Sequence, residues 1–230
     1  MNTETIGERI IKENYMETTV YRNQVNEERF IKSFLIDVKN SLIKWDELIR
    51  NNYMDSMYKD NFYKEYGKGL DTWSVTEPIL KFLIYIELLK KYKIRPEDHA
   101  YNDNKMLDFA LYTELTDHCY ISEIGIELKW AVFTKKGLLN QRSLQTLIND
   151  FVKMKELKNQ YKYFIQHSIT DQKVIVNQDI LNKQILNDVD GRLMRKYIPR
   201  VISIESFEVW GSNEEIKKNF NLCLWAIQRR

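Results

Sequence analysis

The stretch Tyr120 to Phe133, YISEIGIELKWAVF, constrains this chain more than any other. Its β-branched and aromatic residues favour a strand, and side chains on a strand alternate between two faces. Ile124, Ile126, Leu128, Trp130 and Val132 then share one continuously apolar face, while Glu123, Gly125, Glu127 and Lys129 share the other. A carboxylate and an ammonium on the same face of an otherwise buried strand cost desolvation energy unless something uses them. The polar face therefore meets either a functional site or solvent, where Glu127 and Lys129 would make only weak cross-strand pairs.

The preceding segment repeats the logic. Met106 to Thr113 (MLDFALYT) reads as a strand, joined to the next by a polar turn around Thr116, Asp117 and His118. Leu107, Phe109 and Leu111 share one face, and Asp108 lies on the other with Met106 and Ala110. A hairpin of these two strands sets Asp108 beside Glu127. Two carboxylates at close range repel, and a bound divalent cation is the usual relief. Mg²⁺ suits such a pair, because it is held by one or two carboxylates, retains waters and takes further ligands from phosphate oxygens. Mn²⁺ is expected to substitute. Lys129, a compact cation, would hold the attacking water or stabilise charge growing on the phosphorus oxygens.

Helices surround these strands. With Asn26 as N-cap, Glu27 to Arg50 reads as a long amphipathic helix, broken at Asn51 and Asn52 and followed by a second helix over Tyr53 to Tyr66 that Gly67 and Gly69 end. Ser74 to Glu77 has the spacing of a capping box. The apolar run after it, interrupted by Lys81 and Glu87, predicts a buried helix to about Tyr92, and Pro96 ends the connection. Asn140 to Leu157 is helical by its Leu144, Leu147, Ile148, Phe151 and Met154 stripe. Tyr161 to Ile169 and Val201 to Trp210 read as strands, 178 to 187 as a short helix and Asn213 to Gln228 as a closing helix. This order predicts an α/β fold, a mixed central sheet flanked by helices over residues 71–230, preceded by an N-terminal helical region over residues 1–70.

At these residues the chain resembles the PD-(D/E)xK nuclease superfamily, whose core is that of many restriction endonucleases. The match is Asp108 in KMLDFAL, followed by Glu127-Leu128-Lys129 in GIELKWA, with helices on either side. The resemblance covers about residues 74–170, and residues 1–70 lie outside it. It implies that Asp108 and Glu127 bind metal and that Lys129 assists the nucleophilic water. It also implies that Glu77 joins from the first core helix, that Leu128 offers its backbone carbonyl to the metal, and that Gln145 belongs to the second helix of the site. Leu107 stands where the family's name has Pro.

A net charge of +2 gives no global attraction to a polyanion, so DNA binding must be local. Two basic segments could follow a phosphate backbone. One is Thr134 to Arg142, with Lys135, Lys136 and Arg142; the other is Gly191 to Arg200, with Arg192 and Arg195. Tyr15, Tyr21, Tyr58 and Tyr63 are candidates for stacking on bases. Two distant cysteines and three scattered histidines argue against a disulfide framework and against zinc. The N-terminus lacks the pattern of a secretory signal, and no apolar stretch approaches the roughly 20 residues of a spanning helix, so a cytoplasmic protein with no membrane contact is expected. The leading expectation is a Mg²⁺-dependent DNA endonuclease, a restriction or defence enzyme, working as a homodimer if it cuts both strands. The alternative is a catalytically inactive nucleic-acid-binding or protein-interaction module on the same fold.

Overall fold

The computed structural model describes residues 6–55, 70, 77–98, 106–115, 119–154, 157, 159, 161–188, 197–210 and 217–229. In chain order the elements are α1 (Ile6–Asp55), α2 (Glu77–Leu88), β1 (Ile94–Asp98), β2 (Leu107–Leu115), β3 (Cys119–Trp130), α3 (Gln141–Met154), β4 (Tyr161–Asp171), α4 (Gln178–Asp188), β5 (Tyr197–Trp210) and β6 (Lys217–Arg229). The strands form one mixed sheet in the order β1-β2-β3-β4-β6-β5. β3 and β4 are parallel, and the other neighbouring pairs are antiparallel. The fold is thus α/β, a six-stranded mixed sheet flanked by helices.

Each face of the sheet has its own core. On one side Ile31, Phe34, Leu35, Val38 and Leu42 of α1 and Leu80, Leu83, Ile84 and Leu88 of α2 pack on Phe109, Ile124, Ile126, Leu128, Ile165, Leu222 and Leu224. On the other side Leu144, Leu147, Phe151 and Met154 of α3 and Leu181 and Ile185 of α4 pack on Phe164, Val201, Cys223 and Trp225. The strand parity read from Ile124, Ile126 and Leu128 therefore holds. Trp130 and Val132 depart from it, since β3 ends at Trp130 and both side chains are exposed.

β6 occupies a segment expected to be a helix. Its Phe220, Leu222, Leu224 and Ala226 fill the first core, while Cys223, Trp225 and Ile227 fill the second. A strand buried on both faces loses the two-residue alternation and cannot be told from a buried helix by periodicity. β1 is likewise hidden in the sequence, because Pro96 looks like a breaker. It pairs with Phe109 on a strand that forms one edge of the sheet. Pro199 lies in the opposite edge strand and Pro78 in the first turn of α2, so all three prolines sit where a missing N–H is tolerated.

α1 is a single helix from Ile6 to Asp55, so Asn26 is internal to it and Asn51 with Asn52 do not break it. Nothing between Gly7 and Gly67 is a glycine or proline, and asparagine costs only a few tenths of a kcal/mol to about 0.7 kcal/mol in a helix interior. Long-range polar contacts fix its course: Lys39 to Glu205 at 2.6 Å, Arg200 to Glu28 at 2.9 Å and Lys44 to Glu87 at 2.8 Å. The buried Tyr163 hydroxyl donates to Glu27 at 2.5 Å. The part of the second expected helix beyond Asp55, with Tyr58 and Tyr63, and the residues Gly67, Gly69, Ser74, His99 and His118 lie outside the described residues, as do the side chains of Tyr15 and Tyr21. Among the described residues no helix is long and apolar enough to cross a membrane.

Because α1 supplies one wall of the first core, replacing Phe34, which is 0% exposed, with alanine should cost about 3–5 kcal/mol. Ile36→Ala, on the same helix at a position 43% exposed, should stay within about 0.5 kcal/mol. Urea unfolding of both variants checks this; equal, small losses would mean that α1 is not part of the core.

Candidate active site

The regular pairing of β2 with β3 reaches Phe109 opposite Ile126. One residue further, Asp108 turns its carboxylate onto the backbone of β3, and its Oδ2 accepts from the Leu128 N–H at 2.6 Å. The carboxyl thus takes a donor that a strand ladder would otherwise use. Leu107 departs with it: it packs in the second core with Ala110, while Phe109 and Leu111 fill the first. The expected shared face of Leu107, Phe109 and Leu111 is corrected in that respect: Leu107 lies past the last β2–β3 pair, Phe109 with Ile126, and packs in the second core.

Asp108 and Glu127 are each only 8% exposed, and buried carboxylates require compensation. It comes from both helical layers. Lys81 of α2 forms an ion pair with Asp108 Oδ1, and Lys153 of α3 pairs with Glu127 at 3.0 Å. Glu77, the first residue of α2, accepts a long 3.4 Å hydrogen bond from the Trp130 N–H and stands 3.8 Å from both Lys81 and Lys129. Burial pulls the Lys81 ammonium down, but Asp108, Glu77 and Glu127 together outweigh it and leave its pKa raised. Asp108 and Glu77 thus share Lys81, Glu77 also stands near Lys129, and Glu127, paired with Lys153, reaches Lys81 only through its charge. Leu128 contributes its amide to Asp108 and its side chain to the first core.

Three members of the cluster carry little signal in the sequence. Lys81 is visible there only as an interruption of an apolar helix. Asp150 and Lys153 lie on α3 beside the carboxylates, and Asp150 falls on the stripe of Leu147 and Met154, where a charge is out of place on a core-facing helix. Burial raises the Asp150 carboxyl, Lys129 and Lys153 partly offset that, and Asp108 adds to it. Gly125 leaves room on this face: a Cβ there would stand 3.0 Å from Asn159 Oδ1 and 3.1 Å from Leu107 Cδ2.

The remaining candidates are spread out. Past β3, Phe133 bridges to Leu139 in a tight reversal in which Gly137 adopts φ +73°, and a Cβ there would meet the Ile175 carbonyl oxygen at 2.1 Å. Lys135 and Lys136 are exposed on this reversal, and Arg142 is exposed at the start of α3. Asn140 caps that helix through the Ser143 N–H at 2.8 Å. Gln145 is exposed, bonds Asn149 at 3.1 Å and borders an open recess with Asn140, Gln141, Arg142 and Thr146; no contact among the described residues joins it to the carboxylates. Arg192 and Arg195 lie outside the described residues.

The donor set consists of hard carboxylate oxygens, which fits Mg²⁺ or Mn²⁺ and not a thiophilic ion. Among the described residues no three such side chains already converge as a ligand set. Mg²⁺ needs only one or two carboxylates, however, and both buried ones are here turned toward lysines. No family model, curated protein or solved structure matches this chain.

His167 of β4 is buried beside this cluster, edge-on to Trp130 and stacked on Phe220, and neither ring nitrogen has a hydrogen-bond partner among the described residues. Burial, with a smaller contribution from Lys129, holds its pKa down to about 3. The unfolded chain takes up a proton near pH 6.5 that the folded chain refuses. Stability should therefore be full above about pH 6.5 and fall progressively as pH drops toward 3, each tenfold difference in proton affinity between the two states being worth about 1.4 kcal/mol. His167→Phe should flatten the dependence of the unfolding midpoint over the acid range, roughly pH 4 to 7; an unchanged profile would show that His167 is not held neutral.

Proposed function

We propose that this chain is a Mg²⁺-dependent DNA endonuclease with a restriction-endonuclease-like core of the PD-(D/E)xK type. The observation that carries the reading is the bond from the Leu128 amide to the Asp108 carboxylate. It brings the aspartate of one strand against the Glu127-Leu128-Lys129 triplet of the next, at a point where both carboxylates are buried. A hairpin followed by a crossover helix and a parallel strand supports the same reading, since it matches the expected order of core elements.

Asp108 and Glu127 would hold the metal, with Glu77 and the Leu128 carbonyl completing its surroundings. When bound, such an ion supplies a low-pKa water and neutralises charge on the phosphoryl oxygens. The chain's own groups do the positioning. Lys129, partly exposed at the end of β3, orients the attacking water and stabilises the oxygens of the phosphate. Lys135, Lys136 and Arg142 would contact the flanking backbone phosphates from their reversal and helix start.

The pairing of both carboxylates with lysines favours a second reading, a non-cleaving nucleic-acid-binding module in which these ion pairs are static. Activity separates the two. The parent protein should nick or cut DNA in Mg²⁺ or Mn²⁺ and not in EDTA, across a panel of sequences and end structures. Lys129→Ala should lose on the order of a hundredfold or more in rate while still binding metal, and Asp108→Ala should lose both activity and metal-induced stabilisation. Cleavage by Lys129→Ala at the parent rate would sink the assignment.

A further inference from the structure

Lys81 is drawn by all three acidic residues Asp108, Glu77 and Glu127. Its ammonium pairs with Asp108 Oδ1, stands 3.8 Å from Glu77 Oε1, and feels the charge of Glu127. A tethered cation thus sits between Asp108 and Glu77, while Glu127 has its own partner in Lys153. Its stem borders a cleft of about 280 Å³ lined by Pro78, Phe82, Tyr85, Pro96 and Asp108, which gives the flexible side chain somewhere to move.

We propose that Lys81 is a built-in counter-ion that occupies the cation position of this site, so that a divalent metal binds only by displacing it into the cleft between α2 and the β1–β2 edge. The inference rests on the metal-site reading given above. Neutralising buried carboxylates is required with or without metal. An ammonium carries one charge and a divalent ion two, so displacement is feasible, but the metal must compete against an ion pair already formed. The chain thereby raises the metal concentration at which the site becomes loaded. Lys81 is in this sense a positioning residue: it holds the Asp108 carboxylate when no metal is bound, and it leaves when one is.

The test is Mn²⁺ binding to the full chain by titration calorimetry, with melting temperature measured over the same metal range. Lys81→Gln keeps a hydrogen-bond donor to Asp108 and removes the charge, and Lys81→Met removes both. Each should bind Mn²⁺ tighter than the parent, by ~10-fold or more, and should gain more melting temperature from it. Lys81→Arg, which retains a cation, should bind no tighter than the parent. If Lys81→Met is poorly folded alone, Mn²⁺ should restore it, and Lys81→Gln carries the comparison independently. A parent that binds Mn²⁺ and cuts DNA, alongside Lys81→Gln of unchanged affinity, would overturn the role of Lys81 and leave the nuclease reading intact. Failure of the parent and both neutral variants to bind Mn²⁺ would overturn the metal site and the inference with it.

Discussion

Parallel pairing of β3 with β4 is the constraint on which the rest of the arrangement depends. Parallel neighbours cannot be joined by a tight turn, so the chain must cross a face of the sheet between them. α3 makes that crossing, over the face where Phe164 stands opposite Glu127. Its apolar stripe seals the second core, and charged residues on and beside that stripe arrive above the polar positions of β3. Lys153 and Asp150 reach Glu127 and Lys129 for this reason and not through any local signal in β3. On the other face α2 begins where β3 ends, which brings Glu77 to the Trp130 amide and Lys81 to Asp108.

Charge compensation follows from this layering. A buried carboxylate in a sheet has no solvent to stabilise it, and its neighbours in the strand are apolar. Compensation must come from the covering layers, and here each layer contributes one lysine. Asp108 accepts a backbone amide as well, so its neutralisation is shared between a backbone donor and a side-chain cation. His167 shows the opposite solution, since an imidazole enclosed between Trp130 and Phe220, with no hydrogen-bond partner among the described residues, stays neutral.

Much of the central hairpin is legible in the sequence, because one covered face and one polar face produce alternation that survives without any alignment. Ile124, Ile126 and Leu128 mark the core face, and Asp108, Glu127 and Lys129 stand out against it. The edges of the pattern are less readable. Leu107 packs in the second core because it lies past the last β2–β3 pair, and the end of a ladder leaves no trace in periodicity. β6 is opaque for a different reason: burial from both sides erases the contrast that identifies a strand. The uninterrupted course of α1 is readable in the absence of glycine and proline, yet Asn26, Asn51 and Asn52 suggest ends that packing on the sheet overrides.

By itself, then, the sequence determined that Ile124, Ile126 and Leu128 line the core side of β3 and which three residues are candidates for nuclease chemistry. Those are local properties, fixed by side-chain alternation and the charge of neighbouring residues. The tertiary structure alone decided the partners of Asp108 and Glu127. Lys81 and Lys153 are separated from them in the chain and join them only because helices from opposite layers close over one strand pair. Gln145 and Asp150 make the contrast plain within one helix. Both are polar residues of α3, and only the rotation of the helix on the sheet turns Asp150 toward the cluster and Gln145 toward solvent.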